Sequence, residues 1–263
     1  MKRNQHVMRW CGVVPVMLLA LLAQVLLVMS ARAGEDKDHG LLWEVSRPGV
    51  ETSYLFGTIH SEDPEVLQLP QPVRQAFDGS DTVVLEMLLD AEAMMYSGSA
   101  MLMMDGRALS DIIGESMFQR TAQAIASRGI QALVLERMKP WAAAVVLSMP
   151  AAETGVVLDM MLYQEALQQD KNVRGLETIQ EQLNIFEALP EKDQVTLLED
   201  ALDNFTGLDA MHDELLTAYK RRDLAGLMAL NEASMESGDQ QLAEAFQQRL
   251  VIDRNHLMAE RMQ

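Results

Sequence analysis

Cysteine is almost absent from this chain. The one thiol, Cys11, lies in an apolar stretch near the N-terminus, so the remaining sequence can form neither disulfides nor cysteine metal sites. Hydrophobic packing must hold it together. Aromatics are 5% of the 263 residues, too few to suggest a sandwich or barrel, while the 49% apolar content suffices for one sizeable core. Basic residues are scarce too: 21 Lys and Arg face 39 Asp and Glu, a net charge of −18. Residues 1–33 carry four bases and no acid, so the rest is more acidic still. Such a body repels nucleic acid and acidic lipid surfaces and suits a cation or a basic or neutral partner. It also describes a merely well-solvated surface. No internal repeat at solenoid spacing is present.

The N-terminus has the pattern of an export signal. Lys2, Arg3 and Arg9 precede an apolar run, Val13–Met29, and Ala31-Arg32-Ala33 forms an A-x-A cleavage site. The expectation is a periplasmic or secreted protein with a signal over 1–33 and a short polar linker over 34–40. The run is also nearly long enough to span a bilayer, so an uncleaved anchor is the other reading, and the only membrane contact expected.

Beyond the linker, two β-rich stretches, Leu41–Ser46 and Thr52–Ile59, flank Arg47-Pro48-Gly49 and predict a hairpin. The second stretch runs into Gly57 and His60, so a histidine leaves the carboxyl end of a strand, where α/β sheets place ligands. A short helix over Pro72–Phe77 and a strand over Thr82–Leu88 follow. That strand is apolar except at Glu86, a carboxylate that must meet a cation, a metal or strong donors, or else lie at the solvent edge. Residues 91 to about 129 read as helical, broken near Gly98 and at Asp105-Gly106. Met87, Met94, Met95, Met101, Met103 and Met104 crowd this region; thioethers can bind Cu(I), but they also serve as adaptable core or groove filler, the favoured reading. Pro140 suits the first turn of a helix over Trp141–Ser148, with Trp141 as core or pocket wall.

A helix over Thr154–Gln169 precedes a short strand, Asn172–Leu176, that ends in Glu177. Thr178 and Glu181 then match a T-x-x-E capping box, which gives Glu177 the same strand-exit position as His60. The remainder predicts helices over Glu191–Phe205, Leu208–Lys220, Leu224–Ser234 and Gln240–Met262. In the last of these Leu242, Phe246, Leu250 and Arg254 recur every four residues, continued by Leu257 and Met258. Arg254 on an apolar face needs an anion, and Glu86 or Glu177 could supply it; otherwise the guanidinium snorkels from the rim. His39 and His212 read as surface residues, and His256 lies off the Arg254 stripe.

Several of these stretches together resemble the TraB/PrgY/GumN family, related to the Tiki-type proteases. They are LFGTIHS, DTVVLEM around Glu86, KPW at Lys139–Trp141, GLETIQEQL at Gly175–Leu183 and RNHLMAERM at the end, and they span about Leu41 to Gln263. The resemblance implies an α/β fold like that of erythromycin-esterase-like and ChaN-like proteins: one predominantly helical domain around a small mixed β-sheet. It implies metal-dependent hydrolysis of a peptide or small-molecule substrate, with His60 and Glu86 as metal ligands or acid/base groups. Arg254 would orient a carboxylate or stabilise developing charge. Gly57, Glu177 and Trp141 are the candidate substrate-binding residues, with Glu177 a possible third ligand. Imidazole and carboxylate ligands suit Mn, Co or Zn equally. Family members usually continue past the RN helix into a strand with a second G-x-x-H, which has no counterpart up to Gln263, so the expectation is a fragment, a product of truncation, or a natural form that has lost catalysis. A non-catalytic binder of a peptide, haem or another apolar ligand in the cell envelope is the alternative function.

Overall fold

A computed structural model of the chain describes residues 40–235 and 240–262. The export-type segment, most of the linker and His39 lie outside them. The elements run β1 (Leu42–Arg47), β2 (Val50–Phe56), α1 (Pro64–Leu67), α2 (Gln71–Gly79), β3 (Thr82–Met87), α3 (Ala91–Ala100), α4 (Leu109–Ile113) and α5 (Glu115–Ile125). After these come α6 (Ala132–Leu135), α7 (Pro140–Ser148), α8 (Leu158–Gln168), β4 (Asn172–Glu177), α9 (Ile179–Glu187) and α10 (Glu191–Lys220). The chain ends in α11 (Leu224–Met235), α12 (Gln240–Gln247), a π-helical turn (Gln248–Asp253) and α13 (Arg254–Arg261). It is a predominantly helical α/β domain. Its strands form two separate pairs: β1 and β2 antiparallel, β3 and β4 parallel.

The core is helical. Helix α7 has no polar face: Trp141, Ala142, Ala143, Ala144 and Leu147 are all buried, and α10 lies along it. The alanines let the two backbones approach closely, and Leu197, Leu198 and Ala201 of α10 fill the seam. Pro140 opens α7 at its first position, where a missing N–H costs nothing. Trp141 is the largest fully buried side chain; its ring stacks on Phe186 at 5.4 Å, and Phe186 meets Phe246 at 5.9 Å.

Three boundaries depart from the sequence reading. Helix α3 runs through Gly98 and ends at Ala100, the expected break at Asp105-Gly106 falls in the non-helical stretch that follows, and an unexpected one comes at Gly114, whose φ of +75° separates α4 from α5. Helix α8 begins at Leu158 rather than Thr154, because residues 153–155 are bound as a loop by another segment. The two helices expected around Gly207 are one 30-residue helix, α10, in which Gly207 is buried. At Gly207 tertiary packing overrides the local weakness of glycine, whereas Gly98 is exposed and lies in the last turn of α3.

Strand β4 owes its close fit to Gly175. A Cβ there would lie 3.1 Å from the Leu88 backbone nitrogen and 3.3 Å from both the Glu177 carbonyl oxygen and Leu88 Cγ, so two of its three close neighbours are backbone atoms. Gly175→Ala is expected to lower stability by about 1–3 kcal/mol as the strand ends are forced apart. Urea unfolding of the two proteins measures it, and equal midpoints would refute the close-approach argument.

Candidate active site

Three strands end at one place, and each delivers a polar side chain. His60 follows the exit of β2, Glu86 lies near the end of β3, and Glu177 closes β4, where it neighbours Met87 in the parallel register. The exits are shaped locally. Ser61 N donates to Ile59 O at 2.8 Å, a γ-turn centred on His60. Gly57 is fixed from both sides: its N–H donates to Leu41 O at 2.8 Å, and its carbonyl accepts from the buried Tyr219 hydroxyl at 2.8 Å. The capping box at Thr178 and Glu181 is formed, with both reciprocal bonds present, so the chain turns into α9 directly after Glu177.

Arg254 joins two of these strands. Its Nε lies 3.0 and 2.9 Å from the two Glu177 oxygens, while its Nη2 donates to Glu177 Oε2 at 2.6 Å and to Glu86 Oε2 at 3.1 Å. Its Nη1 donates to Leu250 O at 3.2 Å. The side chains of Arg254 and Glu177 are 6% and 2% exposed, which makes this a buried ion pair, and Glu86 is its half-open third member at 24%. A π-helical turn precedes Arg254, and such wide turns are frequent at functional sites. With it, Phe246, Leu250, Arg254 and Met258 all face inward; Leu257 does not, and is 36% exposed.

His60 meets a residue that sequence reasoning missed. Its Nδ1 lies 3.2 Å from Oδ2 of Asp159, in the first turn of α8, and Asp159 Oδ1 accepts from the Thr58 hydroxyl at 2.8 Å. Oδ2 has no aligned hydrogen-bond donor, so charge carries most of the attraction to the imidazole. With Nδ1 facing Asp159, Nε2 is the nitrogen turned away from that contact. Nothing in Val157-Leu158-Asp159 marks the residue; an acid in a first helical turn is ordinary.

The charges bias one another. Burial pulls the His60 imidazole down, but the charge of Asp159, with a smaller contribution from Glu86, lifts its pKa above the usual 6.5. Burial raises the Glu86 carboxyl above 4.5, and Asp159 adds to this, against the opposing charges of Arg254 and His60. At Asp159 burial acts upward but is outweighed by His60 and Thr58, so that acid stays below its usual range. His60 and Glu86 each feel the other as well as Asp159 and Arg254, which places the two in one electrostatic unit.

The other expected residues are engaged elsewhere. Trp141 is core, and its indole N–H donates to Glu187 at 3.0 Å. Glu177 spends both oxygens on Arg254. His212 is not a surface residue: it is half-buried on α10, its Nδ1 has no partner, and burial holds its pKa down. Among the described residues no three His, Cys, Asp or Glu side chains are arranged to hold a metal ion. His60 Nε2 and Glu86 Oε1 offer two donors where protein metal sites usually have at least three, so these residues do not by themselves fit a resident divalent metal.

The sequence profile described as the TraB/PrgY/gumN family matches residues 41–263. Among curated proteins, the chain is similar to "Metalloprotease TIKI1" of Danio rerio, 25% identical over 85% of this chain and 55% of the relative. It is also similar to "Metalloprotease TIKI2" of Danio rerio (25% identical, 85% and 53%) and of Xenopus tropicalis (26%, 85% and 52%). The chain thus spans about half the length of these relatives. No solved structure matches it.

Removing the cation tests the pair. Arg254→Met should destabilise the protein by about 3–5 kcal/mol, since it strands a buried carboxylate. Adding Glu177→Gln to that variant should recover part of the loss. Thermal or urea unfolding of both variants decides it, and a single substitution with no cost would mean Glu177 is not buried against Arg254.

Proposed function

The chain belongs to the TraB/PrgY/gumN family, and on that footing we propose that it hydrolyses amide bonds in peptides at the His60–Glu86 site. The observation that carries the reading is the convergence of two ionisable groups with opposed environments: an imidazole held by Asp159 and a carboxylate held by Arg254. The names of the curated relatives support a protease, and the exits of strands suit a substrate cleft. The N-terminal pattern supports export to the periplasm or beyond.

The raised values assign the roles. Asp159 holds His60 above its usual 6.5 and burial holds Glu86 above its usual 4.5, and in this reading the carboxylate acts as the base and the imidazolium as the acid. Glu86 Oε1 takes a proton from water, whose oxygen attacks the scissile carbonyl carbon. The C–N bond then breaks as His60 Nε2 delivers its proton to the leaving nitrogen. The proton gained by Glu86 passes back to the imidazole and restores the starting state. Arg254 keeps Glu86 in place from behind, and Asp159 keeps Nε2 turned toward the substrate.

Activity should fall as pH drops through the Glu86 value, above 4.5, because the base is lost. It should also fall as pH rises through the His60 value, above 6.5, because the acid is lost. Peptidase assays across pH, with and without added Mn, Co or Zn, measure this bell. His60→Ala and Glu86→Gln should each reduce turnover by roughly 10²–10⁴-fold. Unchanged turnover in both variants refutes the assignment.

A second reading rests on a different place. A cavity of about 470 Å³ is lined by Leu102, Met103, Met104, Ile112 and Pro140 together with charged neighbours, and Met104 is 84% exposed. Adaptable thioethers of this kind suit capture of an apolar peptide without turnover. Binding that survives both a chelator and His60→Ala would favour it.

A further inference from the structure

The segment that carries His60 holds more than the histidine. From residue 58 to 62 its burial alternates, even though the γ-turn at His60 interrupts the extended backbone: Ile59 and Ser61 are 1% and 4% exposed, while Thr58, His60 and Glu62 reach toward other partners. All three outward side chains meet one stretch of chain, from the α7–α8 connection into the first turn of α8. Thr58 and His60 meet Asp159. Glu62 meets the loop four to six residues before it.

The contact made by Glu62 is dense. Its Oε2 accepts from Glu153 N at 3.1 Å, Thr154 N at 2.5 Å and the Thr154 hydroxyl at 2.7 Å, and its Oε1 accepts from Gly155 N at 3.1 Å. Three successive backbone N–H groups around one carboxylate form an anion-binding nest. Gly155 has a φ of +76°, the left-handed geometry that such a nest needs and that glycine adopts without strain. This binding ends the loop and sets where α8 begins, and Asp159 is its second residue. Within α8, Leu158, Leu162 and Ala166 face the core, while the Asp159 side chain is held by Thr58 and His60.

We propose that Glu62 is a positioning residue: its carboxylate latches the 153–155 loop so that Asp159 is presented to His60. The latch and the reactive imidazole are two residues apart on one side of one segment, so the histidine and its carboxylate are registered by the same stretch of backbone. The inference rests on the reading of His60 as the reactive group, but its consequence is structural and can be observed without any turnover.

The test follows the His60 Nδ1–H proton by NMR in the full chain, labelled at histidine and arginine. The Arg254 Nε–H, bonded to Glu177, serves as an internal reference. Glu62→Ala should speed exchange of the His60 proton several-fold or broaden it away, as Asp159→Asn should, while the Arg254 signal stays in place. Glu62→Gln keeps an acceptor for the loop and should restore much of the protection. If Glu62→Ala does not fold, Thr154→Ala removes one donor of the latch and should produce a smaller acceleration. A His60 signal unchanged in the folded alanine variants overturns the proposal, as does parallel loss of the His60 and Arg254 signals, which would indicate general loosening. Failure of hydrolysis would refute the peptidase reading and leave this signal intact.

Discussion

One guanidinium closes the end of this sheet arrangement. Arg254 reaches from the C-terminal helix to Glu177 at the exit of β4 and to Glu86 near the exit of β3. Two acids at adjacent parallel strand ends would otherwise repel across a poorly hydrated gap. A buried pair is not obviously stabilising in net terms, because desolvation of both ions offsets their attraction. Its value is in what it specifies. Lysine could not substitute, since the fork engages both oxygens of Glu177 and one of Glu86 from a single fixed plane.

That clamp sets the direction in which the rest of the site can act. With one oxygen of Glu86 bound to Arg254, the other is the face available to water. The π-helical turn before Arg254 is the backbone adjustment that brings the guanidinium inward while Leu250 and Met258 remain in the core. On the opposite side, Thr58, His60 and Glu62 fasten the α7–α8 connection. The site is therefore bounded by two attachments of different kinds: a buried ion pair across strand ends, and a hydrogen-bonded seam along an extended segment.

How much of this the sequence disclosed depended on whether the signal was local. The capping box at Thr178 and Glu181, Pro140 at a helix start, and the hairpin around Pro48-Gly49 are short-range patterns, and each was legible. The pairing of Arg254 with Glu86 or Glu177 was legible too, because a cation on an apolar stripe and an acid in an apolar strand each demand a partner. Asp159 was not. Its role depends on a contact across 99 residues of chain, and its own neighbourhood is that of any helix start. The start of α8 was misplaced for the same reason: the residues that unwind 153–155 belong to Glu62, 91 to 93 positions away. Helix α10 passed through Gly207 because packing on α7 outweighs the roughly 1 kcal/mol that glycine costs a helix.

Charge counting explains why the two raised pKa values belong together. Glu86, Glu177 and Asp159 supply three negative charges, and Arg254 returns one. Glu177 is the acid most fully neutralised, with both oxygens on the guanidinium. The remainder of the cluster is two acids sharing part of one cation, and such an arrangement draws protons. Asp159 keeps its charge because His60 and Thr58 outweigh its burial. Burial is the main reason Glu86 releases its proton less readily, and the Asp159 charge adds to it, while at His60 the Asp159 and Glu86 charges favour the imidazolium against burial. The nearby carboxylates thus act on both groups in the same direction. Protonation of His60 makes good most of the deficit, and the imidazolium persists above the pH at which a solvated histidine would lose its charge.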